Sequence, residues 1–144
     1  MTELLTLYRI AEQLKIPVYH FPLPRTGSLS CMDEASCCAI GLDLPHRRTR
    51  NDLRVRLAHE LGHCVTGSFY NRFSPWDVRK YHENRADKYA VETLIPESEL
   101  DEAVAEGHTE PWDLADYFGV DEAFLRKAIC LYQHGNLATE LYFP

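Results

Sequence analysis

Apolar residues recur at Leu4, Leu7, Tyr8, Ala11 and Leu14, a spacing that lines one face of a helix over residues 3–15. Pro17 stops that helix. The period then shortens to that of a strand, and Val18-Tyr19-His20-Phe21 forms a β-branched and aromatic run. Pro22 and Pro24 end this strand or confine it to an edge. Arg25-Thr26-Gly27-Ser28 signals a turn. Residues 29–32 and 36–42 read as two further strands around Asp33-Glu34, so a small antiparallel sheet of about three strands is expected.

A polar, basic connection carrying Pro45, His46, Arg47, Arg48 and Arg50 follows, and it reads as a solvated loop. The helical period then returns. A helix capped by Asn51 or Asp52 runs to Gly67, with Leu57, Leu61, Cys64 and Val65 as its apolar stripe. An aromatic loop over residues 68–77 leads to a long helix over 78–94, whose face is Ala86, Tyr89, Ala90, Thr93 and Leu94. Shorter helices are predicted over 98–106, 112–118 and 121–132. Strands first and helices after define an α+β chain.

Composition narrows the function classes. At 144 residues the chain makes one domain, residues 1–144, with enough length for a core that needs no staples. A formal charge of −7 repels phosphate backbones, which disfavours nucleic acid as a partner. No run approaches the ~18 apolar residues that span a bilayer, so no membrane partner is expected. The N-terminus has an early Glu3 and no cleavage-site pattern, so no signal peptide is expected. The five cysteines are odd in number and fit no disulfide framework, which points to reduced thiols in a cytoplasm.

Leu114, Ala115, Gly119, Val120 and Leu125 have helix-turn-helix spacing, with Asp121 placed to cap the second helix. That helix opens Glu122-Ala123-Phe124 and carries only Arg126 and Lys127 as cations. A DNA-reading helix wants polar and basic residues at its start. Residues 109–132 therefore read as a packed helical extension, and direct DNA binding is disfavoured.

The chemistry sits in His59-Glu60-Leu61-Gly62-His63. Two histidines four apart project from one helix face, since four residues advance about 400° and ~6 Å. Both imidazoles can hold one metal ion, and Glu60 reaches a water on it; this is the zinc-protease pattern. Chance produces the pentapeptide on the order of once in a few hundred chains of average composition, so its flanks must decide. A catalytic site needs a third ligand and an open position. The helix over 78–94 offers Glu83, with Ala86 and Ala90 small enough for close packing on that face. His82 is the competitor, about 100° round the helix, and a plain salt bridge from Glu83 to Arg79 or Lys80 is the bland reading. Asp87, one turn past Glu83, is placed to accept the distal N–H of a ligand histidine. Zn2+, one per chain, suits this donor set, as do Mn2+ and Fe2+.

Arg56-Leu57-Ala58-His59-Glu60-Leu61-Gly62-His63, followed by Glu83, Ala86, Asp87, Tyr89, Ala90, Leu94, Ile95 and Pro96, resembles the ImmA/IrrE family of metallopeptidases. The likeness covers about residues 29–96. Asp87 stands where the family has Asn, Tyr89 where it has Phe, and Thr93-Leu94-Ile95 where it has Glu-Leu-Leu or similar. None of these removes a candidate ligand. The resemblance implies a minimal zincin-like metalloprotease domain, with the small sheet packed on the HExxH helix, a third-ligand helix and C-terminal helices. It also implies an intracellular endopeptidase acting on a helix-turn-helix repressor or similar regulatory protein, of a kind common in bacteria, mobile elements and phages. In such an enzyme Glu60 is the catalytic base. Tyr70, Tyr81, His82 and His108 are candidates for stabilising the oxyanion, and the strand over 36–42 is a candidate for pairing with substrate. A non-catalytic protein-binding regulator on the same fold is the alternative, against which the intact Glu60 argues.

Overall fold

A computed structural model describes residues 2–143. The first apolar stripe folds as α1 (Leu4–Gln13), which buries Leu7 and Ala11. After Pro17 come β1 (Val18–His20), β2 (Ser28–Met32) and β3 (Cys38–Leu42). The strand order is β1-β3-β2, with β2 antiparallel to β3 and β1 parallel to it. The sheet is thus three-stranded as expected but mixed. Periodicity marks which residues are extended; it does not set the direction of their partners, and here the chain crosses from β1 past β2 before β3 returns beside it. The β2–β3 turn is held by the Asp33 carboxylate, which accepts from the Ala35 and Cys37 amides.

One expectation fails here. The strand over 36–42 becomes the central strand, flanked on both edges, and cannot take a further one; β2 holds the open edge towards the site. A second concerns the cysteines. Cys38 on β3 is joined to Cys64 by a disulfide, with Cα atoms 5.8 Å apart, leaving Cys31, Cys37 and Cys130 free. Contact across 26 residues between a strand and a helix leaves no spacing signature.

Helix α2 (Arg50–Thr66) starts two or three residues earlier than the Asn51 or Asp52 cap implies, because Thr49 is the cap and its hydroxyl accepts from the Asp52 amide. Leu57 and Leu61 are fully buried, while Val65 lies outside the stripe and is half exposed. The chain then forms α3 (Trp76–Leu94), α4 (Glu97–Ala105), α5 (Pro111–Phe118), α6 (Glu122–His134) and α7 (Thr139–Tyr142). The core lies between α2, the inner sheet face and α3, where Ile40, Leu42, Leu57, Leu61, Val91 and Leu94 meet. Buried Arg54 ties α2 to the C-terminal helices by donating to the Phe118 and Gly119 carbonyls at the end of α5, and to Thr2 O. Among the described residues, no helix is long and apolar enough to cross a membrane.

A close backbone approach sets the site's frame. A Cβ on Gly62 would lie 2.5 Å from Ala86 O and 2.9 Å from Ala86 Cα, so α2 and α3 touch where the motif glycine meets buried Ala86. Gly62→Ala is therefore expected to destabilise the fold by about 1–3 kcal/mol through overpacking, despite alanine's better helix propensity. Chemical denaturation of the two proteins would show it; an unchanged midpoint would mean that the helices can part without cost.

Candidate metal centre

Helices α2 and α3 bring the candidate ligands together. His59 Nε2 and His63 Nε2 lie 3.2 Å apart. Glu83 reaches both, Oε2 at 2.8 Å from His59 Nε2 and Oε1 at 3.2 Å from His63 Nε2. Tetrahedral ligands on zinc, at bonds of about 2.0–2.1 Å, stand roughly 3.3 Å from one another, close to these spacings.

The far side of each ring explains why Nε2 faces inward. His59 Nδ1 meets Asp87 Oδ1 at 2.8 Å, and His63 Nδ1 meets the Ser68 carbonyl. A carboxylate and a carbonyl only accept, so each Nδ1 carries a proton. Nε2, which faces Glu83 in the metal-free chain, is the ring atom that gives up its proton to free a lone pair for an ion. The donor set therefore fits a divalent ion.

Glu60 is nearly buried, and its carboxylate lies within 4.8 Å of both histidines, completing a His-Glu-His group able to hold a metal ion. Its oxygens are engaged elsewhere: Ser28 Oγ donates to Oε2 and Ser30 Oγ to Oε1, each at 2.8 Å. Glu83, by contrast, bridges the two imidazoles, so Glu60 flanks the centre and Glu83 completes its triangle. The serines were not singled out from the sequence. Their one signal is that hydroxyls occupy alternate positions of β2, on the face where apolar residues are usual.

Of the other candidates, Tyr70 alone lines the site, a cavity of about 250 Å³ walled also by Leu29, Ser30, Phe69 and the histidines. Its hydroxyl donates to Glu83 Oε1 at 2.6 Å. Tyr81 is exposed, and His82 lies against Tyr70 and Tyr81 rather than at the ligand triangle. His108 pairs with Asp113 at 2.8 Å, away from the cavity. Lys127 of α6, also unforeseen, donates to Asp87 Oδ2 at 2.9 Å.

These contacts govern titration. Burial works against charge on His59, but hydrogen bonds to Asp87 and Glu83 outweigh it and raise the imidazole from 6.5 to about 10. His63 is raised for similar reasons: burial is overcome by Glu83 and the Ser68 carbonyl. Burial pushes Glu83 up, yet the two histidines and Tyr70 together hold its carboxyl well below the ordinary 4.5. Raised imidazoles stabilise the fold below their ordinary 6.5 and lose that contribution as pH climbs towards 10. The lowered carboxyl stabilises above its ordinary 4.5 and loses its contribution as pH falls. Stability of the metal-free chain is thus expected to peak between about pH 4.5 and 6.5 and to decline towards 10. Thermal unfolding with chelator across that range checks it; a midpoint still rising above pH 8 or so would contradict the assignment.

Among family comparisons, the IrrE N-terminal-like peptidase domain matches residues 11–129, which takes in the sheet, both site helices and most of α6. No curated protein matches the chain.

Proposed function

Because this chain belongs to the IrrE N-terminal-like family of peptidases, we propose that it is a zinc-dependent endopeptidase of the cytoplasm that cleaves a regulatory protein. The observation carrying this reading is the meeting of two Nε2 atoms and the Glu83 carboxylate beside a buried, hydroxyl-held Glu60. His59, His63 and Glu83 would hold the ion. When bound, zinc would supply Lewis acidity, polarising the scissile carbonyl and lowering the pKa of water to ~7.

The chain's own groups do the rest. Glu60 accepts a proton from the attacking water and returns it to the departing amine nitrogen. Ser28 and Ser30 fix both oxygens of that carboxylate, so its angle is set before substrate arrives. The Tyr70 hydroxyl is the donor in the cavity that can turn to the carbonyl oxygen as negative charge develops there.

An extended substrate pairs with β2. The Gly27 carbonyl accepts from Asp43 N and Asp33 N donates to the Cys37 carbonyl, so odd-numbered residues of this strand pair inward. The main-chain groups of Ser28 and Ser30 then face the open edge. The same two residues thus bind backbone with their peptide groups and the base with their hydroxyls.

A helix-turn-helix repressor is the substrate class the family resemblance suggests. Direct DNA binding is no part of the proposal, because the two cations of α6 are spent internally, Arg126 on Glu122 and Lys127 on Asp87. In a reducing cytoplasm Cys38 and Cys64 would stand as adjacent thiols. The test is to incubate the purified chain and zinc with a mixture of unstructured peptides and read cleavage by mass spectrometry. Cleavage that chelator stops and zinc restores is expected. Intact peptides with zinc bound would instead favour the protein-binding regulator.

A further inference from the structure

We propose that Lys127 is a positioning residue of the metal centre: by gripping Asp87 it holds His59 in aim, which makes helix α6 part of the site. The inference rests on His59 being a ligand, as proposed above. The Asp87 carboxylate is held at two points, Oδ1 by His59 Nδ1 at 2.8 Å and Oδ2 by Lys127 Nζ at 2.9 Å. One contact alone would let the carboxylate pivot about its bond to His59; the second fixes its plane, and with it the direction of the imidazole. The relay joins three helices, with His59 on α2, Asp87 on α3 and Lys127 on α6, 40 residues beyond Asp87.

Nothing nearby can replace Lys127. Among the described residues it is the one lysine or arginine paired with Asp87. Arg56 lines the same cleft, but its guanidinium is committed to Asp52 and to the Thr26 carbonyl. Arg126, its neighbour on α6, turns to Glu122. The cleft is a cavity of about 280 Å³ beside His59, lined also by Asp121 and Phe124. If Lys127 is removed, Asp87 Oδ2 faces that cavity, where water can reach it. The carboxylate is then loosened without being stranded in the core, so the loss falls on the grip of the metal and hardly on the fold.

The test is zinc affinity of the full chain, measured by competition with a chromogenic chelator, for wild type, K127M, K127R, D87N, K127M/D87N and R126M. K127M is expected to weaken zinc binding by about 10–100-fold, with thermal unfolding of the metal-free protein close to wild type. K127R should restore affinity to within about threefold, since a second cation then reaches Oδ2, and R126M should bind as wild type does. In the D87N background K127M should add less than about twofold, because the two act through one carboxylate. Wild-type affinity in K127M, or an equal loss with and without Asp87, overturns the inference while the metal-site reading stands. A folded wild type that takes up no zinc overturns both.

Discussion

Replacing Glu60 by glutamine is expected to lower the rate of peptide hydrolysis by about 10²–10⁴-fold, the contribution of a well-placed general base, and to leave the metal in place. The side chain keeps its shape. Ser28 and Ser30 can each hold it, one donating to the amide oxygen and the other turning its lone pair to the amide N–H. What is lost is the lone pair that takes the proton. Because Glu60 is only 6% exposed, exchanging a charge for a neutral amide adds no buried charge, and stability should hold or rise. The result is read as initial rates on a peptide the wild type cleaves, beside metal content per chain. Undiminished cleavage with full metal would remove Glu60 from the mechanism, and a variant that still relieved repression in cells would point to a regulator without turnover.

What could be read from the sequence follows from the reach of each interaction. The HExxH geometry is local, because four residues of helix fix the angle between His59 and His63. The nearness of Glu83 to the two histidines was legible one step further out, since Ala86 and Ala90 marked the face on which α3 could press close, and Ala86 does meet Gly62. The helical extension was legible from Gly119 and the Asp121 cap, both seen in the structure: Gly119 with φ of 64° and Asp121 accepting from the Phe124 amide. Strand direction was not, because Val18-Tyr19-His20 carries the same alternation whichever way its neighbour runs. Nor were the groups that tune the site. Ser28, Ser30 and Lys127 reach it through tertiary packing, from 32, 30 and 40 residues away from the carboxylates they bind. An isolated strand serine or surface-like lysine gives no sign of that.

The ligands themselves should separate cleanly from their neighbours. His59→Ala, His63→Ala and Glu83→Ala are each expected to lose zinc by more than the 10–100-fold typical of an outer partner, whereas His82→Ala should keep about one ion per chain. The three losses should differ in their side effects. His63 is buried and its Nδ1 holds the Ser68 carbonyl, so His63→Ala also unlatches the turn after α2 and lowers metal-free stability. Glu83 is the most exposed of the three, with a side chain 36% accessible, so Glu83→Ala should remove zinc without opening a core cavity. Its cost to the metal-free fold should be confined to the pH range in which the carboxylate pairs the two imidazoles. Ligand linkage gives an independent readout. An ion that binds only the folded state adds about 2.7 kcal/mol at one hundred times its dissociation constant, so zinc should raise the melting temperature of wild type and of His82→Ala. It should leave that of the three ligand variants nearly unmoved. Zinc retained by Glu83→Ala but lost by His82→Ala would move the third ligand one residue back along α3, and the aim of Asp87 and Lys127 at His59 would then serve a differently built centre.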